Sequence, residues 1–158
     1  MERPPLILCV SVSEGNTALV ARAMAEVLRA DVREPEDVDP HTLSERPLVG
    51  FGSGIFRGSH HARLRKYVER LPHVRGTRAF VYTTSGMGRS QSLPWQRSLE
   101  SVLRDRGFEV VGSFSCRGFD TWLPLRIVGG LNKGHPDAED LARAGEFAER
   151  IAEELPAR

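Results

Sequence analysis

Hydroxyl side chains cluster in one short segment of the chain, Ser11-Val12-Ser13-Glu14-Gly15-Asn16-Thr17. This segment follows the apolar run Leu6–Val10 and precedes a stretch with apolar residues at helical spacing. The first backbone N–H groups of a helix are unpaired and lie at the positive end of its dipole, so they bind anions. The three hydroxyl groups can donate to phosphate oxygens, and the glycine lets the backbone approach closely. The segment therefore predicts a phosphate-binding turn between a strand and a helix.

A simpler interpretation of this segment is an ordinary connection in which Asn16 or Thr17 caps the helix. The residues alone leave both interpretations open. Two common nucleotide-binding motifs are missing from the segment. No Gly-Lys-Ser/Thr follows, as it would in a Walker loop, and the Gly-x-Gly-x-x-Gly pattern of dinucleotide-binding folds is absent.

Three more glycine-containing segments follow strand-like runs later in the chain. They are Ser53-Gly54-Ile55-Phe56-Arg57, Thr84-Ser85-Gly86-Met87-Gly88 and Arg117-Gly118-Phe119-Asp120. In an open parallel sheet, the ligand lies beyond the carboxyl ends of the strands. We therefore expect these segments and the turn at Ser11–Thr17 to form one ligand-binding rim.

Strand and helix patterns alternate along the whole chain. Strand-like runs cover Leu6–Val10, Ala30–Arg33, Leu48–Gly52, Ala79–Thr83 and Phe108–Cys116. Helical spacing runs from the first turn to about Arg29, from His61 to Leu71, from about Trp95 to Gly107, and from Pro136 to Leu155. This alternation predicts an α/β fold, a parallel sheet with helices on both faces. No repeat or linker interrupts it, so we expect residues 1–158 to form a single domain.

Composition and charge exclude several classes of protein. The formal net charge of +1 gives no reason to expect binding to nucleic acid or to a membrane surface. No apolar run approaches the length of a membrane span, and Met1–Pro5 does not resemble a signal peptide. The two cysteines, Cys9 and Cys116, lie in strand-like runs without a CxxC motif, which predicts buried free thiols and a cytoplasmic protein.

The first turn resembles the phosphate loop of flavodoxins, whose usual form is Ser/Thr-x-Thr-Gly-Asn-Thr. The likeness continues through Leu48–His61, Ala79–Gly88, Phe114–Thr121 and Gly129–Pro136. In order and spacing, nearly the whole chain is similar to short-chain bacterial flavodoxin-like proteins. The resemblance implies a three-layer sandwich around a five-stranded parallel sheet of order 2-1-3-4-5, for which flavodoxins are the type example.

The resemblance also implies a cofactor, non-covalently bound FMN. Its phosphate would lie on the turn at Ser11–Thr17, the flavin ring would lie between Ser53–Arg57 and Thr84–Gly88, and Arg117–Asp120 would lie along the ring edge. The flavin performs the redox step, while the protein binds it and tunes its potentials. The expected function is electron transfer from a donor of the flavodoxin-reductase type to an acceptor protein of unknown identity. A monomer is expected.

The chain departs from the usual flavodoxin in three respects. Flavodoxins are commonly acidic, whereas this chain is near neutral and has arginines on the predicted rim, Arg57, Arg89 and Arg117, which would suit an acidic partner. The usual Trp or Tyr is missing from the ring loops. The available aromatics are Phe56, Phe119 and Trp122, each of which could equally be a core or loop anchor, and the resemblance favours Phe56 for contact with the flavin. Glu14 puts a carboxylate inside the phosphate turn, where it should repel the phosphate.

Two other functions stay open. One is an NAD(P)H-dependent FMN or quinone reductase, whose nicotinamide site would need the long segment Arg117–His135. The other is a flavin-free binding module, which Glu14 keeps in view. A metal site at His60, His61 and Cys116 would lack a second cluster at ligand spacing, so these residues are interpreted as a helix-start pair and a core cysteine. A serine nucleophile elbow would need Ser where Gly52 stands, and the acidic residues of a phosphorylated receiver module are missing.

Overall fold

The computed structural model of the protein describes residues 3–10, 16–56, 59–60, 62–85, 89–117 and 137–156. These residues form β1 (Leu6–Val10), α1 (Asn16–Leu28), β2 (Asp31–Arg33), β3 (Val49–Phe56), β4 (Ser59–His60), α2 (Ala62–Glu69), β5 (Arg78–Ser85), α3 (Arg89–Asp105), β6 (Glu109–Arg117) and α4 (Ala138–Glu153). Two short 3-10 helices, Pro35–Asp37 and Pro40–Glu45, lie between β2 and β3.

Five parallel strands pair in the order β2-β1-β3-β5-β6, and the two-residue β4 pairs antiparallel with β3. Counting only the parallel strands, this is the order 2-1-3-4-5. The predicted sheet order is therefore confirmed. The direction in which successive strands are added to the sheet reverses at β1, because β2 pairs with one edge of β1 and β3 with the other.

The sheet has a separate apolar core on each face. Leu6, Leu8 and Val10 of β1 pack with side chains of α2 and α3 on one face. Ile7 and Cys9 alternate to the other face and pack with side chains of α1 and α4. All five residues of β1 are buried, which explains why this strand is a continuous apolar run. Helices on both faces of one sheet confirm the predicted three-layer arrangement.

Glycines of β3 make room for aromatic rings of β5. Gly50 pairs with Phe80 and Gly52 with Tyr82 in the parallel register. A Cβ atom added at Gly50 or at Gly52 would overlap the ring of its partner. Because Phe80 and Tyr82 are fully buried, these rings have no space into which to withdraw. The two glycines thus allow the Phe80 and Tyr82 rings to lie directly over β3, in the core on the α1 and α4 face of the sheet.

β3 differs from its predicted length. The strand continues past Gly52 to Phe56, and Ile55 and Phe56 pair with His60 and Ser59 of β4. The predicted loop at Ser53 is therefore wrong over Ser53–Phe56. Glycine is a poor strand former by propensity, but pairing with β5 and β4 keeps this segment extended.

Most helix ends agree with the sequence patterns to within about two residues, but α3 begins at Arg89, six residues before the predicted start at Trp95. α3 ends at Asp105, and Gly107 follows with a φ of 91°, a conformation that favours glycine. α4 begins after Asp137, whose carboxylate accepts from the Asp140 backbone while the Asp140 carboxylate accepts from the Asp137 backbone. Pro136, the predicted helix start, lies outside the described residues. No helix within the described ranges is long and apolar enough to cross a membrane.

Candidate functional site

Two threonine hydroxyls meet where α1 begins and β5 ends. Thr17 is the second residue of α1, and Thr84 is the last but one of β5. Their Oγ1 atoms are 2.8 Å apart and form a buried hydrogen bond. Only 3% of Thr17 and 4% of Thr84 is exposed to solvent. A pair of residues 67 positions apart in the chain thus joins the first predicted ligand segment to the third.

Gly54 of β3 lies beside this hydroxyl pair. A Cβ atom added at Gly54 would be 3.7 Å from Thr84 Oγ1 and 3.9 Å from Thr17 Oγ1, which is ordinary van der Waals contact. The second predicted ligand segment therefore reaches the same place as the other two. Thr17, Gly54 and Thr84 form what we call the hydroxyl site, at the carboxyl end of the sheet.

Gln96 of α3 holds the end of β5 from the opposite face. Its side-chain amide donates to Thr83 Oγ1 and to the Phe114 carbonyl of β6, each at 2.8 Å. Adjacent strand residues point to opposite faces, so Thr83 bonds toward α3 and Thr84 toward α1. Gln96 is 2% exposed and was not among the predicted site residues. Its spacing to Leu99 and Leu103 places it on the buried stripe of α3, a signal that the sequence already contained.

The remaining predicted residues fall into two groups. For the first group the structure describes the backbone. Asn16 begins α1, and Ile55 and Phe56 belong to the β3–β4 hairpin. Ser85 pairs with Arg117 where β5 and β6 end. The second group lies outside the described residues and consists of Ser11, Val12, Ser13, Glu14, Gly15, Arg57, Gly86, Met87, Gly88, Gly118, Phe119 and Asp120. The Ser85–Arg117 pairing means that β5 and β6 end side by side, within the third predicted segment and at the first residue of the fourth.

Ser53 behaves differently from the other hydroxyl residues of the rim. Alternation along β3 puts it on the face opposite to Gly54, and it is fully buried there. Its hydroxyl donates to the Gly54 carbonyl at 2.9 Å. Ser53 therefore stiffens the end of β3 and does not join the Thr17–Thr84 hydrogen bond.

The polar groups below the hydroxyl site are neutral at physiological pH. Tyr82 donates to the Leu8 carbonyl at 2.9 Å, and burial raises the pKa of its phenol well above the ordinary value. Burial also raises the pKa of the Cys9 thiol and raises that of Cys116 to about 12. Among the described residues, no group of His, Cys, Asp or Glu is placed to hold a metal ion. The described part of the site therefore offers neutral hydrogen-bonding groups and a helix N-terminus.

Comparison of the sequence with protein-family models gives no match. Over 146 residues the chain is 36% identical to the uncharacterized protein MJ0298 of Methanocaldococcus jannaschii, and this alignment covers 92% of the chain and 96% of that protein. An identity of this size over nearly the full length of both chains indicates common descent and a shared fold.

Solved structures show the same fold at lower identity. The oxidised flavodoxin 2 of Bacillus cereus superposes with a TM-score of 0.75 at 18% identity, covering 96% of this chain and 99% of that one. The apo form of the NADH:FMN oxidoreductase EMOB superposes with a TM-score of 0.66 at 16% identity, covering 98% and 91%. One fold thus hosts both a flavodoxin and a reductase among these neighbours.

Proposed function

Because the chain belongs to one family with MJ0298 of M. jannaschii and has the fold of the B. cereus flavodoxin, we propose that it binds FMN without a covalent bond and carries electrons between a reductase and an acceptor protein. The observation that carries the proposal is the hydroxyl site. A buried threonine in the first turn of α1 lies beside a glycine and a second threonine from two neighbouring strand ends.

The residues of the hydroxyl site fit the phosphate end of FMN. The start of α1 supplies unpaired N–H groups and the positive end of a helix dipole. Thr17 supplies a hydroxyl that is shielded from water, so a hydrogen bond from it to a charged oxygen is worth more than one at the surface. Gly54 presents no side chain, which leaves the space beside both hydroxyls open. Nothing among these residues carries a negative charge.

Other residues of the rim enter the proposal from the resemblance. Ser11, Ser13, Gly15 and Asn16 would complete the phosphate site, and the segments at Ile55–Arg57, Ser85–Gly88 and Arg117–Asp120 would surround the ring. When bound, FMN supplies the redox chemistry. The chain itself binds and orients the flavin, limits the access of water and donates hydrogen bonds to the phosphate.

A reductase is the second candidate function, and the likeness to EMOB favours it. A carrier differs from a reductase in lacking a place for the nicotinamide. In this chain the predicted rim segments are all assigned to the flavin, which supports the carrier. Mixed with NADH or NADPH alone, the flavin should stay oxidised over minutes and should bleach only when a flavodoxin-reductase type donor is added. Rapid bleaching by NAD(P)H, followed by turnover with a quinone, would establish the reductase instead.

The first experiment is a titration of the purified protein with FMN, followed by flavin fluorescence, with riboflavin as the ligand without phosphate. We expect saturable binding of one FMN per chain and weaker binding of riboflavin, because riboflavin forgoes the phosphate contacts. Absence of FMN binding would overturn the proposal and favour the flavin-free binding module.

The proposal extends to the setting in which the carrier works. It places a monomer in the cytoplasm, without nucleic acid or membrane as partner. The two cysteines support the cytoplasmic part of this proposal, because both are free thiols. Size-exclusion chromatography with light scattering tests the oligomeric state directly.

A further inference from the structure

We infer that Thr84 is a positioning residue for the phosphate: its hydroxyl donates to Thr17 and thereby turns the Thr17 proton toward the bound phosphate. The inference rests on the proposed function. It assigns to Thr84 a task at the phosphate end of the ligand, whereas the resemblance placed its segment against the flavin ring.

The argument begins with the number of protons. A threonine hydroxyl has one proton to donate and two lone pairs that accept. In the 2.8 Å contact between the two Oγ1 atoms, either hydroxyl can be the donor. If Thr17 donates to Thr84, its only proton is used and none remains for a ligand. If Thr84 donates to Thr17, the Thr17 proton is free to point elsewhere.

A phosphate at the start of α1 selects the second arrangement. A phosphate monoester carries nearly two negative charges at neutral pH, so it accepts hydrogen bonds and donates few. The proton order must then run from Thr84 to Thr17 and from Thr17 to the phosphate. Each hydrogen bond in such a chain polarises the next, and the low dielectric of a buried site strengthens the effect.

The structure gives Thr17 no other partner for this task within the described ranges. The Thr84 hydroxyl is its one side-chain hydrogen-bond partner there, and both residues are too buried for bulk water to replace it. Thr84 is itself held in place, because Gln96 fixes the neighbouring Thr83 and the adjacent strand from the other face. Thr84 can therefore act as a fixed donor, and a fixed donor is needed to orient the Thr17 hydroxyl.

The test compares matched variants by their affinity for FMN and for riboflavin. Thr84→Val keeps the shape and removes the hydroxyl, and Thr84→Ser keeps the hydroxyl. We expect Thr84→Val to weaken FMN about 10-fold, the effect of one lost hydrogen bond, and to change riboflavin less than 2-fold. Thr84→Ser should bind FMN within about 2-fold of the wild type. Thr42→Val, which removes an exposed threonine hydroxyl from the 3-10 helix Pro40–Glu45, should leave the ratio of FMN to riboflavin affinity unchanged.

A double variant identifies the route of the effect. In the background Thr17→Val, the further change Thr84→Val should have little effect on FMN, because the hydroxyl that it orients is already gone. Independent, additive losses would overturn the inference. If Thr84→Val does not fold, as judged by circular dichroism, the pair Thr84→Ala and Thr84→Ser carries the same comparison.

The outcomes separate the two proposals. If the wild type does not bind FMN, the proposed function is wrong and the inference falls with it. If the wild type binds FMN but Thr84→Val weakens FMN and riboflavin equally, the inference alone is wrong and Thr84 serves only the structure of the site.

Discussion

The Thr17 hydroxyl at the start of α1 is the described side-chain group that the proposed function assigns to the phosphate. Removing it in Thr17→Val should weaken FMN about 10- to 100-fold, because a hydrogen bond to a charged oxygen is worth about 1.5–3 kcal/mol. Fluorescence titration measures the change. Riboflavin is the control ligand, and its affinity should stay nearly the same. Unchanged FMN affinity would remove Thr17 from the phosphate site.

Glu14 lies outside the described residues, and its effect is a prediction from the resemblance. A carboxylate several ångströms from the phosphate and partly solvated should repel it by about 1–2 kcal/mol. Glu14→Gln removes this charge and should therefore tighten FMN, most clearly at low salt, where screening is weakest. Affinities for FMN and riboflavin at two salt concentrations test this. An equal change for both ligands would show that Glu14 does not face the phosphate.

The Cys116 thiol makes stability depend on alkaline pH. Its pKa is about 12 in the folded protein because of burial, whereas an unfolded thiol titrates near about 8.5. Below a pH of about 8.5 the thiol is protonated in both states, and its contribution to the free energy of unfolding is fully present. As the pH rises toward 12, the unfolded chain loses its proton first, so the free energy of unfolding falls.

Urea unfolding at pH 7.5 and pH 9.5 measures this loss. Three other buried groups with raised pKa values, Cys9, Tyr67 and Tyr82, contribute in the same direction. The diagnostic quantity is therefore the difference between proteins, and Cys116→Ala should lose less stability over this interval than the wild type. Equal losses would mean that the thiol does not titrate as the structure implies.

At the scale of elements, the glycines of β3 are not equivalent. In Gly52→Ala the new methyl group would overlap the buried Tyr82 ring, and overpacking of this kind costs about 1–3 kcal/mol. In Gly54→Ala the nearest atoms are 3.7 Å away, so the methyl group fits. Urea unfolding of the apoprotein should show a clear loss of stability for Gly52→Ala, and no loss or a gain of up to about 1 kcal/mol for Gly54→Ala. Similar losses in both variants would contradict this account of the sheet.

The sequence predicts a strand well where both of its faces are buried, as in β1. It predicts the extent of a strand less well near the candidate site, as in β3. β1 is a continuous apolar run because both of its faces are covered. β3 was predicted too short because Gly54 disfavours strands locally, while the pairing that extends the strand comes from β4 and β5. Thr83 and Thr84 of β5 pair with Ser53 and Gly54 from 30 positions further along the chain, so local propensity does not contain this pairing.

For the candidate site, the sequence predicted which segments meet but not which atoms bond. The convergence of Thr17, Gly54 and Thr84 follows from strand order, since the carboxyl ends of parallel strands share one edge. The Thr17–Thr84 hydrogen bond and the Gln96 bridge depend on side-chain directions across that edge. Gln96 could have been found as a polar residue on an apolar helical stripe, but its partners could not.

At the scale of the whole molecule, the net charge distinguishes this chain from acidic flavodoxins. A formal charge of +1 on 158 residues provides little long-range attraction to a partner of either sign. Recognition of the proposed redox partners would then depend on local contacts at the rim. We expect the rate of electron transfer from a donor to decline only modestly between low and physiological salt, as measured by stopped-flow flavin bleaching, because the predicted rim arginines Arg57, Arg89 and Arg117 belong to a near-neutral chain. A steep decline with salt would instead show that these rim charges dominate the encounter.

The attachment of β5 on both faces has a kinetic consequence. Thr84 is tied to α1 and Thr83 to Gln96 of α3, so the strand end cannot move without breaking hydrogen bonds in two layers at once. The amides of this strand end should therefore exchange with solvent only through global unfolding, even in the apoprotein. This part of the binding site would therefore be preformed before the ligand arrives, and ordering it on binding would cost little entropy. Association should then follow a single exponential whose rate rises linearly with FMN concentration, without the plateau that a slow preceding rearrangement would impose.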